Sequence, residues 1–265
     1  NNRYPSYKWI KHSVGNKQSL INDQVNSIIE DSEGDLWYGT NNGISLQDSK
    51  TGKWRSFLST FENVQNSKNH IFTTLCEVSP GIIWAGGYFS GLYQIDKRTS
   101  KTTYFTPASY AHESIRPDKY IRDIRKDSRG YVWSGGYYNL KRINVQTKDI
   151  RLYHGLHSVT AIIEKDDKSM WIGTATGLFL LDIESGKYER IQLPVESTYV
   201  YSLYQTKQGS LYIGTSGSGV LIYDPQTKLF THYYTGNCAM ISNNIYTILS
   251  DEDNEILLSL SLIHI

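Results

Sequence analysis

Five segments of the chain share one design. Residues 35–46 run DLWYGTNNGISL. The same succession of aromatic, glycine, turn and apolar residues returns at 81–95 (GIIWAGGYFSGLYQI), 131–143 (YVWSGGYYNLKRI), 169–181 (SMWIGTATGLFLL) and 210–223 (SLYIGTSGSGVLIY). The anchors Trp37, Trp84, Trp133, Trp171 and Tyr212 recur at intervals of about 40–50 residues, the length of one supersecondary unit that cannot bury its apolar face alone. A chain with this period must stack its units, and that restricts the fold to a repeat architecture.

One unit shows what is stacked. VNSIIED (25–31) alternates and is rich in strand formers, Ser32-Glu33-Gly34 is a turn, and LWYGT (36–40) is a second strand. Asn41-Asn42-Gly43 accepts the positive φ of a tight hairpin. ISLQDS (44–49), a Lys-Thr-Gly-Lys turn and WRSF (54–57) complete a four-stranded antiparallel meander. No helical period competes over a comparable length. Four-stranded units at this spacing are β-propeller blades. The anchor ring is expected to cover the flat face of the next blade, with Gly39, Gly86, Gly135, Gly173 and Gly214 letting that face approach.

The expected fold is all-β: a single incomplete propeller over 1–265, with five full blades at 14–57, 58–105, 106–153, 154–193 and 194–234. Residues 1–13 resemble the outer strand of a preceding blade. Residues 235–265 begin another, in which Leu257 takes the tryptophan position and SLSLIHI (259–265) departs from the blade pattern as sequence foreign to it. An open ring would expose strand edges.

The bulk numbers remove several function classes. With 27 basic and 26 acidic residues the net charge is +1, which suits neither a nucleic-acid surface nor an acidic tail. The abundance of Tyr, 21, against 2 Met agrees with strands. Two cysteines make no disulfide framework; Cys76, in FTTLCEV, is expected to be a buried apolar residue. No stretch has the length and apolarity of a membrane helix, and the first residues lack a signal-peptide pattern.

The run NDQVNSIIEDSEGDLWYGTNNGI (22–44), with D-x-x-G before its Trp and G-T-x-x-G after it, resembles the two-component regulator propeller repeat. The resemblance covers nearly the whole chain. It departs at GGYFSG and GGYYNL and at Lys168, where turn geometry is put in question. It implies the ligand-sensing propeller of a hybrid two-component sensor histidine kinase that regulates glycan use. The parent ring would have seven blades. The segment would be the periplasmic part of an inner-membrane protein, with an oligosaccharide, or an adjacent propeller or sandwich domain, as its partner, in a homodimeric parent. It implies no enzyme activity, no cofactor and no nucleic-acid contact for this segment. No kinase, receiver or DNA-binding motif occurs in the chain. The rival readings are a propeller enzyme, a polysaccharide lyase or glycosidase, and a purely protein-binding scaffold. An enzyme would need an acid and a base converging on the inner strands, where Glu30, Asp123 and Glu164 are the available carboxylates.

Candidate ligand contacts gather on one face, where the turns between second and third strands meet the connectors between blades. They are Tyr88 and Phe89 in one turn, Tyr137, Tyr138 and Asn139 in the next, and His112 and Arg116 in the long connector 106–120. A second long connector spans 58–70. Aromatic rings with nearby polar groups suit sugars; the competing reading is that the rings only pack the loops. No catalytic set and no metal set is expected. His154 and His157 lack a third ligand, SDEDNE (250–255) has Ile256 where a calcium loop needs Gly, and GTSGSG (214–219) is not followed by Lys-Ser or Lys-Thr.

Overall fold

The computed structural model describes residues 9–58, 70–105, 120–250 and 255–260. The described residues contain no helix. The first sheet is a meander of β1 (Val25–Glu30), β2 (Leu36–Thr40), β3 (Gly43–Gln47) and β4 (Trp54–Phe57). The second is β5 (Ile71–Ser79), β6 (Ile82–Tyr88), β7 (Gly91–Asp96) and β8 (Thr102–Tyr104). The third is β9 (Ile121–Lys126), β10 (Tyr131–Gly136), β11 (Leu140–Asn144) and β12 (Ile150–Tyr153). β13 (Val159–Asp166), β14 (Ser169–Thr174), β15 (Gly177–Asp182) and β16 (Tyr188–Ile191) make the fourth. β17 (Val200–Gln205), β18 (Leu211–Thr215), β19 (Val220–Asp224) and β20 (Leu229–Tyr233) make the fifth. β21 (Ile245–Ser250) and β22 (Ile256–Leu260) pair alone. These are antiparallel propeller blades.

Two compact units result, one holding the first two sheets and the other running from Arg122 onward. Each unit buries its own blade interfaces. In the first, Trp37 is fully buried and stacks on Phe57 at 5.4 Å, among Phe72, Leu75 and Ile83 of the following sheet. In the second, Trp133 packs with Val159, Ile162 and Ile172, and Trp171 with Val200, Leu203 and Ile213. The glycines after the anchors are where these sheets close. A Cβ at Gly173 would stand 2.7 Å from Val200 Cγ1, and one at Gly39 would be 3.1 Å from the Phe72 carbonyl oxygen. Within each unit the period exists because one sheet's apolar face is covered by the next.

The turn before each anchor is a second fastening. Asp31 accepts from the backbone N–H of Glu33 and Asp35, both at 3.0 Å, and from Trp37 Nε1 at 2.9 Å. Asp127 repeats this with Arg129, Tyr131 and Trp133 Nε1. The serine after each aspartate reaches forward one blade: Ser32 donates to Glu77, and Ser128 to Glu164. Lys165 stands in the aspartate position before Trp171, whose Nε1 instead reaches Gln205 of the next sheet at 3.2 Å. Val78 stands there before Trp84, and among the described residues no acceptor reaches Trp84 Nε1.

Within the first unit this fastening carries a buried charge cluster. Lys97 Nζ lies 2.6 Å from Asp31, 2.7 Å from Glu33 and 2.7 Å from Asp35. Lys97, Asp31 and Asp35 are all buried. Burial opposes the lysine charge, yet the three carboxylates overcome it and hold the ammonium well above the ordinary lysine range. Burial likewise pushes Asp31 and Asp35 up, but Lys97 and the neighbouring donors bring both below the usual carboxylate range.

Some expectations need correction or fall outside the described residues. Of the strand expected within 1–13, residues 9–13 form no ladder: His12 makes a single parallel bridge with Leu20. An outer strand pairs only with the third strand of its own blade, and no such strand precedes it among the described residues. Cys76 is half-buried, because it follows Leu75 on β5 and turns away from the face that packs Trp37; neither cysteine is in a disulfide. Leu257 is 54% exposed, since no further sheet among the described residues covers its face. Most of both long connectors, the turn expected at 251–254 and residues 261–265 lie outside the described residues.

Candidate functional site

Of the expected aromatic turns, one belongs to the first unit and one to the second. In the first, the turn from β6 to β7 carries Tyr88, half-buried, and Phe89, 49% exposed. Tyr88 bridges to Tyr120, and both turn rings meet the Tyr120 ring edge-on, Phe89 at 4.6 Å between centroids. Phe89 adopts φ 60°. A bulky aromatic in the left-handed region is a strained choice where glycine or asparagine would rest easily. Ser90 Oγ donates to the Ile71 carbonyl and holds the turn to β5.

In the second unit, the turn from β10 to β11 carries Tyr137 and Tyr138, 60% and 43% exposed, with rings edge-to-face at 5.0 Å. Asn139 is half-buried beside them. The His157 ring nitrogen Nδ1 bonds the Tyr138 carbonyl, and Ser158 N–H donates to the Tyr137 carbonyl at 3.1 Å, so the short connector after β12 supports this turn. His154 and His157 are both exposed, and no metal-ligand cluster occurs among the described residues. His112 and Arg116 lie outside the described residues.

A third group was not singled out by pattern. At the start of each first strand one position lies between an apolar residue and a small one: Asn26, Thr73, Arg122, Thr160, Tyr201 and Tyr246. Short polar side chains there tie each blade to the next strand's backbone. Asn26 donates to Phe72, Thr73 to Ile121 and Thr160 to Val200, each to the carbonyl oxygen. Arg122, Tyr201 and Tyr246 break this rule. Aligning the first strands by their anchors would have exposed them; strand propensity alone conceals them, because Tyr is an ordinary strand residue.

Of the three inner-strand carboxylates, Glu30 is exposed, whereas Asp123 and Glu164 are engaged. Glu164 accepts from Ser128, and Asp123 accepts from the Ile162 N–H at 2.7 Å while pairing with Arg125.

Residues 19–42 and 194–217 match the protein family described as Two component regulator propeller. Among solved structures, an extracellular domain assigned to a hybrid two component system of B. thetaiotaomicron superposes with TM-score 0.77 at 19% identity, over 96% of this chain and 35% of that one. A second extracellular domain from that organism gives TM-score 0.63 at 20% identity, over 89% and 36%. The chain thus spans about a third of the length of these two structures. Virginiamycin B lyase from Staphylococcus aureus gives TM-score 0.69 at 15% identity, over 91% of this chain and 85% of that one. At these identities the likeness is one of fold. No curated protein matches the sequence.

Proposed function

Starting from a chain that carries two-component regulator propeller repeats, we infer that it is the ligand-sensing propeller segment of a hybrid two-component sensor histidine kinase, tuned to an oligosaccharide. The parent is a membrane protein with this segment on the periplasmic side. Ligand acts by favouring one of two arrangements of this propeller against a neighbouring domain or a second copy of the parent, which requires differential affinity for the two.

The observation that carries the reading is the display of rings where turn chemistry calls for small residues. Phe89 stays half-exposed at positive φ, and Tyr137 and Tyr138 stand out of their hairpin. Departures from local rules of this kind are expected where a surface is kept for recognition. The test replaces Tyr88 and Tyr137 with Ala in the full-length protein and follows reporter output against the inducing glycan, with thermal melting measured in parallel. Loss of response at unchanged melting supports the reading. Loss of both together returns the rings to a packing role, and unchanged response removes these turns from signalling.

The lyase similarity, which extends over most of that enzyme, favours an enzyme as the rival. It is the weaker reading, because Asp123 and Glu164 are held by backbone and serine donors rather than facing one another as acid and base.

A further inference from the structure

In the second unit the exceptions to the strand-start rule collect into one surface. β13 lies beside β17, and β17 beside β21. Tyr199, just ahead of β17, meets Tyr201 at 4.8 Å between centroids, and Tyr201 meets Tyr246 of the next blade at 4.8 Å, with interplanar angles of 50° and 45°. Tyr199 and Tyr201 are half-buried and Tyr246 is 46% exposed. The Arg122 guanidinium donates to the Tyr199 hydroxyl from two blades away, passing the blade whose own residue in this position, Thr160, makes the ordinary stitch. The starts of β13 and β17 pair with the ends of β14 and β18, so the group lies at the end of these sheets where second and third strands turn.

Nothing in the blade needs three rings and an arginine here. The structural task of the position is met elsewhere by Asn or Thr, which lock adjoining strands through one short bond. A tyrosine in the same place forfeits that bond and leaves an aromatic face beside solvent. Three tilted rings in a row offer successive faces for sugar C–H surfaces, with hydroxyls at their edges. Arginine brings a charge fixed at all relevant pH values and a planar fork shaped for carboxylate or sulfate oxygens.

We propose that Tyr199, Tyr201, Tyr246 and Arg122 form a binding site for an anionic sugar, with the tyrosines as the platform and Arg122 as the anion contact. The site deepens the sensor reading and rests on it for the choice of a carbohydrate. It is distinct from the Tyr137–Tyr138 turn.

The test is calorimetric titration of this chain with uronic-acid oligosaccharides, with sulfated oligosaccharides and with their neutral counterparts. Expected is binding of an anionic series over the neutral one, and the series that binds identifies carboxylate or sulfate as the recognised group. Tyr246→Ala should weaken binding on the order of tenfold or more, Tyr246→Phe should retain most of it, and Arg122→Gln should erase the preference for anionic over neutral sugars. Far-ultraviolet circular dichroism and thermal melting confirm that each variant is folded; Arg122→Lys, which keeps the charge, covers the case in which Arg122→Gln does not fold. Equal binding of neutral and anionic sugars overturns the anion assignment. Binding lost in Tyr137→Ala but kept in Tyr246→Ala overturns the site while leaving the sensor reading intact. No binding of any sugar by the wild-type chain overturns this proposal, whereas the sensor reading falls only if the full-length protein also gives no glycan response.

Discussion

Replacing Lys97 by Met should cost about 3–5 kcal/mol at neutral pH, the range for removing one partner of a buried ion pair. Methionine keeps most of the stem and its packing, so the loss isolates the charge. Lys97 Nζ is within 2.6–2.7 Å of three carboxylates, and of these Asp31 and Asp35 are buried. Without the ammonium they become uncompensated anions away from water. The pH dependence then separates this account from simple loss of packing. In the native protein the Asp31 and Asp35 carboxyls lie below their unfolded value near 3.9, so their contribution is complete above about pH 4 and is lost as pH falls through the folded values. Lys97 is shifted the opposite way, so its contribution is complete below about pH 10.5 and is lost only in stronger alkali. In Lys97→Met burial acts on the two carboxyls unopposed by lysine. Both carboxyls should therefore titrate higher in the variant than in the native protein, and the stability gap between the two should narrow as pH falls from neutrality toward about 4. Urea unfolding measured across that range, with hydrogen exchange of the β1–β2 amides as the local readout, gives both slopes. A variant less than about 1 kcal/mol weaker than the native protein, or one whose pH profile runs parallel to it, would refute the reasoning.

Other expectations follow from the blade interfaces. Trp133→Phe removes a bond to a buried carboxylate whereas Trp84→Phe removes none among the described residues, so urea unfolding should find the first costlier by about 1–3 kcal/mol. Gly173→Ala, which drives a methyl against Val200, should cost about 1–3 kcal/mol in thermal melting, and Gly39→Ala, with more clearance, should cost less. At Phe89 both Gly and Ala remove the ring, but only Gly relieves the left-handed backbone; Phe89→Gly should be the more stable of the two by about 1 kcal/mol, and the reverse order would exclude strain at that turn.

Much of the blade could be read from the chain because its cause is local and periodic. The anchor, the glycine two residues later and the alternation of the first strand all follow from one sheet facing the next, and each has a signature within a few residues. The Asp31–Trp37 bond is equally visible as D-x-x-G-x-L-W, and its repetition at Asp127–Trp133 is visible in the same way. Lys97 was hidden. It sits in a KRTSK hairpin, where lysine ordinarily faces water, and it is buried only because a turn 66 residues earlier folds over it. The turn aromatics were anticipated from turn chemistry, which says what a hairpin prefers but not where a bulky ring will go; hence the Tyr120 partner of Phe89 was not foreseen. The Tyr199–Tyr201–Tyr246 row was missed for a different reason. Its significance lies in comparison with Asn26, Thr73 and Thr160, and a reading of any one strand finds only a good strand former.

The forward reach of Ser32 to Glu77 and of Ser128 to Glu164 bears on how such a chain can grow. Each bond joins a blade to its successor, and the two partners occupy different positions in their own repeats. Counted back from the anchor, Glu30 stands where Glu77 and Glu164 stand, so the first blade by itself carries both the donor and the acceptor position, and a tandem copy of it would set Ser32 of one copy against Glu30 of the next. The smallest module that preserves this interface when copied is therefore a single blade with both positions filled, whereas the third blade, with Lys126 in the acceptor position, holds only the donor, Ser128.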